Sequence, residues 1–152
     1  MAILDVIQIA NENINYTEKV FAFLGRVIEV LEAEKCALIE FDDSNKKIVN
    51  SYARSRLNLR WVEPDFINEN IVEKILHKGE GEFLIDWESI SEKNLNLNMP
   101  DWQSVIAIPL ISNNQIKALV YITVPIKEKE FDYNNYNLAK ALCDIFSTIL
   151  ET

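Results

Sequence analysis

Hydrophobic positions change their spacing along this chain, and the changes mark its elements. Val20, Phe21, Leu24, Val27, Ile28 and Leu31 recur at steps of three and four, which is the single apolar stripe of an amphipathic helix. That stripe predicts a helix from about 16 to 34. Asn15 stands three residues before Glu18, the spacing of a capping box. A shorter helical segment over 3–14, with Ile3, Leu4, Ile7 and Ile14, comes before it. Cys36 to Phe41 reads as a strand, 42–46 as turn chemistry of short Asx and Ser side chains, and 48–54 as the return strand. Residues 55–66 form a connection rich in Arg and aromatics. Asn68 can cap a helix carrying Ile71, Val72, Ile75 and Leu76, and Gly79 stands where that helix should stop. A short strand over 83–85 follows, and 86–102 reads as irregular or weakly helical. The last third is clearest: a strand from Ser104, a polar turn at 113–115, a second strand over 116–124, and a helix opened by Phe131 and Asp132 and running through Leu138, Leu142, Ile145 and Ile149.

This order predicts an α+β fold with one mainly antiparallel sheet and helices on both faces. Alternation at period two divides each strand. In the last strand Ile116, Ala118, Val120, Ile122 and Val124 form an apolar face expected to pack on helices. Lys117, Leu119, Tyr121 and Thr123 form a mixed face, expected to look toward a pocket or solvent. In the first strand the same reasoning assigns Ala37, Ile39 and Phe41 to the packing face and Cys36, Leu38 and Glu40 to the other.

Composition narrows the function classes. Residues 1–152 are expected to form one domain, and 49% hydrophobic content argues against disorder. No apolar run approaches the ~20 residues of a membrane span, and the start lacks a signal-peptide pattern. Cys36 and Cys143 have no ligand-like spacing, so a reducing, cytoplasmic location is expected. The net charge of −9 disfavours nucleic acids and anionic membrane surfaces as partners. Helix signals run to Glu151 and Thr152 without a Gly or Pro stop. The expectation is a domain excised from a longer parent, and the alternative a small stand-alone protein.

Three stretches, Leu24–Asp42, Phe83–Asp86 and Ser104–Leu150, resemble in order and content the corresponding parts of GAF domains, the small-molecule sensor modules of bacterial-type signalling proteins. The resemblance covers nearly the whole chain and implies a GAF/PAS-like fold. It implies terminal helices on one face of the sheet and a ligand cavity on the other, closed by the middle helix and the irregular segment. Carried over, the ligand-binding positions are Tyr52, Arg54, Trp61, Phe66, Ile71, Ile75, Trp87, Trp102, Ser104, Tyr121 and Thr123. Two departures stand out: Asn114 and Lys117 occupy places where family members often carry Gly. The Asn-Lys-Phe-Asp-Glu signature of cyclic-nucleotide-binding members is absent, and so is a bilin-attaching Cys. No cofactor is therefore assigned.

Among residues with chemistry, Arg54, Arg56 and Arg60 cluster beside Trp61 and Phe66. Guanidinium forks beside aromatic planes suit a ligand with a carboxylate or phosphate, so an anionic small molecule is the candidate partner; a solvated basic loop is the plainer reading. Trp61, Trp87 and Trp102 suit a lid or a seal over the core. His77, in a last helical turn before Gly79, suits the helix dipole better than a metal. The cysteines read as buried, inert thiols. Asp42–Asn45 lacks the Gly and distal Glu of a calcium loop. No catalytic constellation emerges. The expectation is a non-enzymatic sensory or regulatory domain that binds a small molecule and relays its occupancy through terminal helices, as a homodimer packed on the first and last of them. A ligand-free dimerisation or docking module is the alternative, and a thiol-dependent reductase a third.

Overall fold

Side-chain caps decide where the main helices begin. We describe a computed structural model covering residues 2–42, 46–88 and 102–151. Helix α2 (Tyr16–Leu31) starts where Asn15 Oδ1 accepts from Glu18 N at 2.9 Å. Helix α3 (Glu69–Lys78) starts where Asn68 Oδ1 accepts from Asn70 N at 2.9 Å. Helix α4 (Tyr133–Phe146) opens on a reciprocal capping box between Asp132 and Asn135. Each cap satisfies backbone donors that have no intrahelical partner. Helix α1 (Ala2–Asn11) precedes them, and a 3₁₀ turn over Ser147–Glu151 ends the described chain.

Two helices stop earlier than the sequence predicts. Glu32, expected inside α2, takes a left-handed conformation with φ 56°. Ala33 N then donates to Ile28 O at 2.9 Å, so the last carbonyls are satisfied and the chain turns into the sheet. The final helix gives way to the 3₁₀ turn after Phe146. Gly79 ends α3 as expected, with φ 77°.

The strands β1 (Lys35–Phe41), β2 (Ile48–Ser55), β3 (Glu82–Asp86), β4 (Gln103–Ser112) and β5 (Gln115–Pro125) form one antiparallel sheet in the order β2-β1-β5-β4-β3. Helices α1, α2 and α4 cover one face and α3 the other. Asn113 and Asn114, with φ 54° and 62°, make the two-residue β4–β5 turn. Both are left-handed, as a type I′ hairpin demands, and Asn tolerates that region without glycine.

Register corrects one face assignment. Leu38 lies opposite Val120, and Ala37 opposite Tyr121. Directly opposed residues share a face, so Cys36 and Leu38 join Ala118, Val120, Ile122 and Val124 against the three helices. Ala37, Ile39 and Phe41 instead pack toward α3, the reverse of the expectation for β1. A bulge opposite Leu110 and Ile111 leaves Lys117 unopposed. The extra residue flips the alternation, so Ile116 packs with the α3 cluster rather than with Ala118. The core of the three-helix face includes Phe23 stacked on Phe146 at 4.1 Å. The turn residues 43–45 and the segment 89–101, read above as turn and irregular chain, lie outside the described residues.

Candidate functional site

A line of polar groups crosses the α3 face where the sheet meets the start of that helix. Asn68 is its hub. Its N–H donates to the Tyr121 hydroxyl at 3.2 Å and its Nδ2 to Asp86 Oδ1 at 3.0 Å, while its own Oδ1 caps α3. Asp86, only 4% exposed, also accepts from Glu88 N at 3.0 Å. Asn70 Nδ2 donates to Glu88 Oε2 at 3.1 Å. Burial pushes the Tyr121 phenol well up; the Asn68 N–H opposes that rise and the Asp86 charge adds to it. Thr123, two residues on and 1% exposed, has a hydroxyl with no hydrogen-bond partner among the described residues. Beside this chain lies a groove of about 450 Å³ lined by Phe66, Asn68 and four carboxylates, Asp65, Glu69, Asp86 and Glu88. Lys35 Nζ stands 5.4 Å from the centre of the Phe66 ring.

The eleven positions assigned from sequence divide among three places. Phe66, Ile71, Ile75, Tyr121 and Thr123 fall on the α3 side of the sheet. Of these, Ile71 and Ile75 are buried in the apolar cluster under α3 and serve as packing. Tyr52, Arg54 and Trp61 lie on the opposite side, against α2: Trp61 meets Phe21 edge-on at 4.8 Å, and Arg54 sits over the Phe21 ring. Ser104 also faces the three-helix side, where its Oγ accepts from Phe131 N at 2.9 Å. Trp87 and Trp102 pack together edge-on at 4.5 Å at the end of the sheet. Antiparallel pairing separates these sets. Tyr52 and Arg54 pair with Leu38 and Cys36, which face the helices, so they do too. Sequence reasoning missed the bridging by Asn68, and Asp86 altogether. The available signal was a carboxylate ending the apolar run Phe83–Ile85, beside a helix cap.

No family model matches the chain, and no curated protein does. Solved structures do match along nearly its whole length. The GAF domain of a phosphoenolpyruvate-protein phosphotransferase from Coxiella burnetii aligns with a TM-score of 0.71 at 15% identity, over 98% of this chain and 90% of that one. The GAF domain of nlh2 from A. aeolicus, in an inactive state, aligns at 0.67 and 15%, over 98% and 93%. Free methionine-R-sulfoxide reductase from Neisseria meningitidis, in complex with its substrate, aligns at 0.68 and 11%, over 97% and 85%. The fold is that of a GAF domain. At these identities the likeness extends to fold alone.

Within this GAF fold the arginine cluster of the sequence is dispersed. Arg56 pairs with Glu128 at 2.8 Å and lies 4.0 Å from Glu34. Arg60 lines a shallow apolar groove with Phe21, Leu59 and Trp61. Arg54 borders a different groove, of about 590 Å³, between α2 and the end of β2. The α3-side groove, by contrast, is acidic. An anion favoured by guanidinium groups is therefore not matched to the place where Tyr121 and Asn68 converge. Cys36 and Cys143 are fully buried in the three-helix core, and burial pushes both thiols up. Thiolate chemistry needs the opposite. His77 occupies the last turn of α3. Among the described residues, no group of three or more His, Cys, Asp or Glu side chains is arranged to hold a metal ion. Nor is any described helix long and apolar enough to cross a membrane.

Proposed function

We propose that this chain is a sensory or regulatory module that takes a small molecule at the groove beside the start of α3. The observation that supports this is the hydrogen-bonded chain Tyr121–Asn68–Asp86, set into the α3-side sheet face and opening onto an acidic groove. Convergent polar groups that fix a ligand's orientation are part of a ligand site, and Phe66 and Ile67 supply the apolar part of this one. Four carboxylates favour a ligand with a protonated amine or several N–H donors over an anion. Thr123 and Gln103, buried on the same face, extend the polar belt. Occupancy would bias the position of α3 on the sheet and, through the strands, the packing of α1, α2 and α4. The ligand must bind one arrangement better than the other for any signal to pass. The buried thiols fit a reducing, cytoplasmic setting and give a reductase no accessible nucleophile.

Helix α1 supports a homodimer as part of the same reading. It buries Val6 but leaves Leu4 and Ile7 exposed, an apolar stripe of the kind that a second copy covers. The same stripe is what a ligand-free dimerisation module would show.

Native mass spectrometry of the purified chain, followed by thermal-shift titration with a panel of amine-bearing and matched carboxylate-bearing metabolites, tests the sensor reading. It predicts either a bound mass lost on denaturation or a saturable shift with an amine, abolished by Asp86→Asn. A bare mass, together with no saturable response to any amine, would leave the dimerisation module as the better account. Sedimentation showing only monomer at high concentration would remove the dimer.

A further inference from the structure

Glycine is an unfavourable residue in the interior of a helix, yet Gly25 sits in the middle of α2. Its neighbour explains it. A Cβ at position 25 would lie 1.9 Å from Arg54 Nη1 and 2.9 Å from its Cζ. The bare backbone of α2 is thus a seat for a guanidinium reaching over from β2. The seat has two further parts. The Phe21 carbonyl accepts from Arg54 Nη1 at 2.9 Å, and the Phe21 ring lies 3.8 Å from the guanidinium carbon. The head group is therefore held on three sides, as a pre-organised donor is.

What this guanidinium lacks is a counter-ion. It borders the groove of about 590 Å³ that also holds Glu29, Glu32, Glu128, Arg56 and Lys129. Each of those carboxylates is paired with a cation other than Arg54: Glu29 with Arg26 at 2.9 Å, Glu32 with Lys129 at 3.9 Å, and Glu128 with Arg56 at 2.8 Å. Arg54 makes no ion pair with any described carboxylate, and its Nε is buried without a hydrogen-bond partner. Burial lowers its pKa from the ordinary arginine value, and the nearby Cys36 thiol offsets only part of that. A half-buried cation without an anion is an incomplete arrangement, because desolvating a charge is unfavourable unless it is paired. The groove's lining carries three carboxylates and three cations, and Arg54 is the cation among them that makes no ion pair with a described carboxylate.

We propose that the α2–β2 groove is an oxyanion site: Arg54 receives the carboxylate or phosphate group of a small metabolite, and Gly25 is the residue that makes room for it. This site is separate from the acidic groove beside α3. It lies on the other face of the sheet and takes ligands of opposite charge. The groove's volume suits a molecule of metabolite size.

Isothermal titration of the 152-residue chain with inorganic phosphate and with succinate, each at constant ionic strength balanced with chloride, tests the proposal and separates the two kinds of oxyanion. At least one should bind saturably. Arg54→Gln should weaken that binding tenfold or more, and Gly25→Ala should do the same by displacing the guanidinium. Arg60→Gln, in the neighbouring apolar groove, and Tyr121→Phe, in the α3-side site, should leave it within twofold. If Gly25→Ala does not fold, as judged by circular dichroism, the Arg54→Gln and Arg60→Gln pair carries the test alone. The absence of saturable binding by either anion overturns the proposal. So does binding that Arg54→Gln leaves unchanged, because it would reflect general attraction to surface charge.

Discussion

The two faces of the sheet are made by the same strands and have opposite characters. On one, Ile106, Ile108, Leu110, Val120, Ile122 and Val124 meet α1, α2 and α4 in a core with stacked Phe23 and Phe146. On the other, small residues such as Ala37, Ala53 and Ala107 alternate with Tyr121, Thr123, Gln103 and Asp86 beneath one ten-residue helix. Period-two alternation lets a strand do both at once, since neighbouring side chains never compete for the same face. The difference teaches how a small domain divides its work. One face holds most of the apolar burial, and so frees the other to hold polar groups that would otherwise be a liability.

The sharpest way to break this comparison is to delete equivalent apolar bulk on each side. Ile122→Ala removes a fully buried side chain from the thick face and should lose ~4–5 kcal/mol by urea unfolding, whereas Ile71→Ala at the rim of the thin face should lose only ~2 kcal/mol. Equal losses would mean that stability is shared rather than divided.

Tyr121→Phe probes the polar line. It leaves the Asn68 N–H without its acceptor and should cost ~1–2 kcal/mol, the scale of a buried unsatisfied donor. An unchanged midpoint would show that this bond contributes nothing to folding. Thr123→Val sharpens the contrast, because its hydroxyl has no described partner. Removing a buried polar atom while keeping the shape should be neutral or stabilise by up to ~1 kcal/mol. A clear destabilisation would reveal a hydrogen bond the hydroxyl makes in solution.

The smallest effect belongs to the surface under α3. Glu82 pairs with Lys78 and Lys74; the hydrogen bond from Lys78 is the main cause that holds its carboxyl below the usual range, burial opposes it, and Lys74 adds a lesser lowering. A lowered carboxyl stabilises the fold fully above its unfolded value and loses that contribution as pH falls through the folded one. The advantage of wild type over Glu82→Gln should therefore be flat at neutral pH and shrink below about pH 4.5. Its size should stay within ~1 kcal/mol, because the pair is near the surface. An advantage that grew on acidification would contradict the pairing.

How much of this was legible beforehand depended on the range of the interaction. The caps at Asn15, Asn68 and Asp132, the stop at Gly79 and the closing hairpin rest on contacts a few residues apart, and the residues at those spacings announce them. The left-handed Glu32 ended α2 at the last residue of its stripe, short of the expected 34, because apolar spacing carries no information about a cap conformation that glycine does not mark. Of the candidate ligand positions, Tyr121, Thr123 and Phe66 fell on the face where the polar line lies. Arg54, Tyr52, Trp61 and Ser104 fell on the other.

By itself, then, the sequence determined the element order, the helix starts, the α+β class and the resemblance to a GAF domain, because periodicity and capping are local physics. Tertiary structure alone decided which alternate set of each strand faces α3 and where the bulge at Lys117 flips Ile116. It also decided that Arg54 lies over Gly25 without an ion pair to any described carboxylate, while Asn68 joins Tyr121 to Asp86. Those are matters of register between strands far apart in the chain, and a one-residue change of register would exchange every one of those neighbours.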